Sequence, residues 1–82
     1  MIQVSVKLFS GLDATARIVS YDSDRGLILD FKDGVRVKKV LRSLGLYPRE
    51  ALVVFVNGRK ASLKDKLENG DVLFCMKPVS GG

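Results

Sequence analysis

Val37-Lys38-Lys39-Val40-Leu41-Arg42-Ser43-Leu44-Gly45-Leu46 carries the clearest helical period in this chain. Val37, Val40, Leu41 and Leu44 fall at i, i+3, i+4 and i+7, the apolar stripe of one amphipathic helix. Gly45 is placed to end that helix in a left-handed conformation, with Leu46 folding back onto the last turn. Arg36 stands where a Ser or Thr N-cap is expected, so Asp33 is expected to do the capping. The outer face carries Arg36, Lys38, Lys39 and Arg42.

Outward from this helix the chain reads as strands and turns. Ile2, Val4, Val6 and Leu8 alternate with Gln3, Ser5 and Lys7, a strand with one buried face. Ser10-Gly11 breaks it. Leu12 to Gly26 is hard to read: Ala14 to Ile18 suits a helical turn, whereas Arg17 to Tyr21 suits a strand equally well. Asp22-Ser23-Asp24-Arg25-Gly26 is a turn cluster. Its two acids lack the spacing of a calcium loop. Leu27 to Phe31 reads as a second strand, closed by Asp33-Gly34.

After the helix, Pro48 opens an exposed turn. Leu52 to Val56 is a β-branched and aromatic strand that ends at Asn57-Gly58, a strong hairpin-turn signal. Arg59 to Ala61 is a short return strand, and Leu63 to Leu67 is a turn or short helix. Asn69-Gly70-Asp71 then leads into a last strand, Val72 to Met76. The first and last strands are strongly apolar, which suits the centre of a sheet. The expected fold class is α+β, a mixed sheet with one main helix packed on one face, the β-grasp arrangement.

Composition sets bounds on function. Eighty-two residues make one domain, and a chain this small buries only roughly 60–65% of its unfolded surface, enough for one modest core. Residues 1–76 are expected to form that domain and 77–82 a flexible tail. A content of 46% hydrophobic and 28% charged residues is that of a globular protein. No apolar run approaches the roughly 18 residues of a membrane helix, and Met1-Ile2-Gln3-Val4 does not open a signal peptide. The single cysteine, Cys75, excludes an internal disulfide framework, and a cytoplasmic location is expected. The net charge of +5 points to acidic partners or to a solvated basic face. Basic residues cluster in Arg36 to Arg42 and again at Arg59, Lys60, Lys64 and Lys66. There is no histidine, phosphate-cradling loop or metal-ligand cluster, so catalysis by this chain alone is not expected.

The C-terminal stretch is Lys77-Pro78-Val79-Ser80-Gly81-Gly82. Proline stops the last strand, and two glycines without Cβ atoms can lie in a channel too narrow for any side chain. The strand order resembles that of the ubiquitin-like sulfur carriers, the MoaD/ThiS family. So do the Asn57-Gly58 hairpin, the Leu67-x-x-Gly70-Asp71-Val72 step and the Pro78-Val79-Ser80-Gly81-Gly82 ending. This family includes the small subunit of molybdopterin synthase and the thiamine-pathway sulfur carrier. The resemblance covers roughly residues 2–9 and 27–82, and tail and length look closer to the molybdopterin-synthase subunit. Lys77, where that subunit often has a further proline, departs from the pattern, as do Arg36 and the basic charge.

The resemblance implies a chemistry. A carboxylate is a poor acyl donor, so an activating enzyme converts the Gly82 carboxylate to an acyl-adenylate with ATP and Mg²⁺. Sulfur from a donor protein then displaces AMP and leaves a C-terminal thiocarboxylate. Gly82 would carry the chemistry, Gly81 the slim approach, and Pro78 the stiff exit. No cofactor would be bound by the carrier itself. The implied partners are the adenylating enzyme and a synthase large subunit, with Lys77, Pro78, Val79 and Ser80 in contact with them.

Docking also needs a surface. With Val54, Val56, Val72 and Phe74 toward the helix, Val53, Phe55, Leu73 and Cys75 would form an apolar patch beside the tail. Loops or Phe9 covering it is the alternative, and a one-residue register slip exchanges the two sets. Cys75 reads as a small inert hydrophobe, since no histidine is present to activate it. Two rival functions start from the same residues. A protein modifier would share the adenylate and end as an isopeptide. An RNA-binding module would use the basic helix face, but Phe31, Phe55 and Phe74 look embedded in strands instead of interleaved with the basic residues.

Overall fold

The computed structural model describes residues 1–9, 26–47 and 52–78. The readings made for residues 12–25, for Pro48, and for Val79, Ser80, Gly81 and Gly82 lie outside the described residues. Among the described residues, five strands and one helix follow in order: β1 Ile2–Leu8, β2 Leu27–Phe31, α1 Val37–Ser43, β3 Val53–Val56, β4 Arg59–Ala61 and β5 Val72–Met76. They form a single mixed sheet of order β2-β1-β5-β3-β4. Strands β1 and β5 lie side by side and parallel, and the other three pairings are antiparallel. This is the β-grasp arrangement anticipated from the element order.

The core lies between α1 and one face of the sheet. Val4, Val6 and Leu8 from β1 meet Val37, Val40, Leu41 and Leu44 from the helical stripe, all buried. Seven residues make a helix too short to persist alone in water, so its stability comes from this packing. The C-terminus follows the expected design. Leu46 N–H donates to the Leu41 carbonyl (2.9 Å) and Gly45 N–H to that of Arg42 (3.0 Å), with Gly45 at φ 77°. Those two bonds make a Schellman motif, and Leu46 is fully buried against the last turn.

The N-terminus departs from expectation. Asp33 does not cap it: its carboxylate pairs with the Met1 amino group at 3.3 Å, and Arg36 makes no side-chain cap either. The first two helical N–H groups, Val37 and Lys38, instead donate to the main-chain carbonyls of Asp65 and Leu63, both at 2.9 Å. The turn after β4 is thus the cap. It is a turn and not a helix, held by the Asp65 carboxylate accepting from Ser62 N–H (2.9 Å). Arg36 Nη1 also donates to the Lys64 carbonyl, and Leu67 N–H to that of Val35 (2.8 Å). Orphan helix donors need any acceptor, and a carbonyl brought from far along the chain serves as well as a hydroxyl.

Candidate docking face and tail root

Strand β5 determines the site, because the tail leaves from its end. Leu73 and Cys75 were expected on the open face but are fully buried. Pairing gives the reason. Leu73 lies opposite Val6 on one side and Val56 on the other, and Cys75 lies opposite Leu8 and Val54. Directly paired residues share a face, so all of these point toward the helix. The alternate set, Val72, Phe74 and Met76, points to the open face and remains half-exposed. The expectation was right for β3: Val53 and Phe55 lie on the open face, and Val54 and Val56 on the helix side.

The open face therefore carries a different patch from the one expected. Phe55 lies directly opposite Phe74, and Val53 opposite Met76. Phe9 adds a third ring, stacked on Phe74 with centroids 6.1 Å apart and planes 13° apart. Its main-chain N–H donates to the Cys75 carbonyl (2.9 Å), which fixes it beside the exit of β5. Continuing the alternation Ser5, Lys7, Phe9 would have placed this ring on the open face from sequence alone. Polar groups frame the patch. Lys7 Nζ lies 5.9 Å from the Phe74 centroid, a cation–π contact, and Lys60 pairs with Phe55. Lys77 and Pro78 follow at once, both exposed. Three aromatic rings at the root of an outgoing tail form a surface suited to docking another protein.

The other end of β5 is clamped. Asn57 and Gly58 both have positive φ (53° and 85°), closing the β3–β4 hairpin in two residues. Asn57 Nδ2 donates to Asp71 Oδ1, while its Oδ1 accepts from Val72 N–H, each at 2.9 Å. Asp71 Oδ2 accepts from Glu68 N–H (2.8 Å), and Asn57 N–H donates to the Val72 carbonyl (2.9 Å). The Gly70-Asp71 step thus sets where β5 begins. Beside it lies a wide concavity of about 660 Å³ lined by residues of mixed charge, among them Arg59, Lys66 and Glu68.

Burial pushes the Cys75 thiol up to about 12, through desolvation of the thiolate. The native protein should resist thiol alkylation at pH 8, whereas the protein in denaturant should react fully; equal rates would place the thiol at the surface. The shift also links to stability. A folded-state value above the unfolded one contributes fully below about pH 8.5 and is lost as pH rises toward 12.

Apart from Lys7 and Lys60, the basic residues lie away from the rings. Arg36, Lys39 and Arg42 are exposed on α1, with Arg42 over the Tyr47 ring at 5.6 Å, and Arg59 and Lys60 lie on edge strand β4. Short, charged edge strands resist pairing with other chains. Phe31, Phe55 and Phe74 are half-buried strand residues, as anticipated. Among the described residues no group of three His, Cys, Asp or Glu could hold a metal ion, and no helix is long and apolar enough to cross a membrane.

The ThiS family model matches residues 16–82. The chain belongs to the ThiS family, whose members are ubiquitin-like sulfur carriers. No curated protein sequence matches it. Among solved structures, it is similar to a molybdopterin converting factor subunit 1 from Pyrococcus furiosus. The two share 22% identity at a TM-score of 0.73, over 96% of this chain and 100% of that one. It is also similar to SAMP1 from Haloferax volcanii, with 26% identity and a TM-score of 0.70 over 98% and 99% of the two chains. Urm1 from Trypanosoma brucei has 17% identity and a TM-score of 0.61 over 98% and 95%. The first and third of these likenesses establish the β-grasp fold.

Proposed function

We propose that this chain is the sulfur carrier of molybdenum or tungsten cofactor synthesis, with the Gly82 carboxylate as its working group. The observation that carries the reading is the course of β5: the strand that sets Phe74 against Phe9 and Phe55 runs straight on into Lys77 and Pro78. The family match, which runs to residue 82, supports it. An adenylating enzyme would dock on the rings and receive the tail. There ATP and Mg²⁺ activate the carboxylate, and sulfur from a donor protein then replaces AMP. Gly81 would pass through the narrow approach, with Lys77, Val79 and Ser80 lining it. A synthase large subunit would take the same face afterward, and Val53 and Met76 belong to the contact. The chain itself would contribute no catalytic group and work in the cytoplasm.

The likeness to the Pyrococcus protein, over 96% of this chain and 100% of that one, supports the molybdopterin pathway over the thiamine one. The intact mass of protein from its native host should include a fraction with one oxygen replaced by sulfur, mapped to Gly82. Complete absence of that species under conditions that demand the cofactor would overturn the proposal. A second reading, a protein modifier, draws on the likeness to SAMP1, whose full name is small archaeal modifier protein 1. Isopeptide adducts of Gly82 on lysines in cell extracts would identify it.

A further inference from the structure

The Asn57-Gly58 turn is more than a hairpin signal. An asparagine followed by glycine is open to a specific covalent change, because no side chain shields the next main-chain nitrogen. Gly58 N attacks Asn57 Cγ, the Cγ–Nδ2 bond breaks, and ammonia leaves a cyclic imide. Water then opens the ring to an aspartyl or isoaspartyl residue. Water is the only co-reactant.

In this fold the reacting amide is held at both ends. Nδ2, the leaving nitrogen, donates to Asp71 Oδ1, and Oδ1 accepts from Val72 N–H, each at 2.9 Å. Asn57 is also held at φ 53° by a two-residue turn. Side chain and turn must let go before Gly58 N can reach Cγ. The product differs in kind from the starting residue. A carboxylate at position 57 has no hydrogen to offer Asp71, and two anions would face each other across hydrogen-bonding distance.

We propose that Asn57 is a latent modification site, reached only when the β3–β4 hairpin parts from the start of β5, and that conversion to a carboxylate holds that junction open. Asp71 has two opposite roles: with asparagine it is the latch, with the deamidated product it is the wedge. The junction continues the rungs that pair Val56 with Leu73 and Phe55 with Phe74, so opening it would loosen the far end of the aromatic face.

The test uses the full-length chain in mildly alkaline buffer, with deamidation and isoaspartate followed by peptide mapping, which separates Asn57 from the second Asn-Gly pair, Asn69-Gly70. Asp71→Ala removes the acceptor, and the rate at Asn57 should rise roughly tenfold, as expected for one charge-assisted hydrogen bond. Circular dichroism checks that this variant is folded. A rate equal to that of the unchanged chain would overturn the latch.

The wedge is tested separately. Asn57→Asp should raise hydrogen exchange at the Val72 amide roughly tenfold or more at neutral pH. The Asn57→Asp/Asp71→Asn double variant should restore protection. In it the amide at 71 can donate to the carboxylate at 57 and accept from Glu68 N–H. Unaltered exchange in the single variant, or no recovery in the double one, would overturn the wedge.

Discussion

Gly81→Leu should abolish adenylation of the Gly82 carboxylate and leave the domain folded. Among the described residues every buried side chain lies at or before Cys75, so the domain is expected to fold with either residue at position 81. An adenylating enzyme must bring α-phosphate and carboxylate together in line, and a side chain one residue away would hold the carboxylate back from that geometry. Turnover by the activating enzyme should fall at least about a hundredfold, some 3 kcal/mol of barrier. One residue added after Gly82 should have the same effect, by removing the acceptor from its position. The thermal melt of either variant should match that of the unchanged protein. Normal adenylation of both would remove the tail from the mechanism.

The second large effect comes from two neighbours on β5. Leu73→Asp places a carboxylate in a fully buried site between Val6 and Val56, with no partner for the charge. An unpaired buried charge costs several kcal/mol, of the same order as the roughly 5–15 kcal/mol that stabilises a small domain. This variant should be unfolded at room temperature. Phe74→Asp, one residue further on, should remain folded, because its side chain stands on the open face beside Lys7. Its defect should be in docking. Loss of a central aromatic anchor costs about 2 kcal/mol or more, roughly a thirtyfold weaker complex with the activating enzyme. Calorimetric titration together with a thermal melt separates the two outcomes. If Phe74→Asp unfolded and Leu73→Asp bound normally, the strand would face the other way.

That contrast also shows where sequence reading ended. The helix was legible because its stripe has a period of its own, and β1 because Gln3, Ser5 and Lys7 mark its polar side. Asn57-Gly58 identified a turn through φ preference alone. β5 gave no such mark. Val72, Leu73, Phe74, Cys75 and Met76 are all apolar: this central strand has the core on one face and a half-exposed aromatic patch on the other. Alternation disappears when both faces are apolar, and only the pairing with Val54, Val56, Val6 and Leu8 restores it. The helix cap was hidden for a different reason. Its acceptors, the carbonyls of Leu63 and Asp65, belong to the main chain and carry no residue signature. Part of the open face was readable all the same: Val53 and Phe55 lie on the face expected of them, and Phe9 needed only one more step of the β1 pattern.

The parallel pairing of β1 with β5 has a consequence for synthesis. The first strand made must wait for the last one, because β5 is both its neighbour and the middle of the sheet. Contacts of such long sequence separation delay folding until nearly the whole chain has left the ribosome. Lys77 and Pro78 follow β5 at once. A nascent chain interrupted before β5 would lack its central strand, fail to fold, and expose its apolar residues to proteases. The strand whose absence prevents folding is the one that leads into Lys77 and Pro78, so a chain able to fold has already been made as far as the segment proposed above to carry the chemistry.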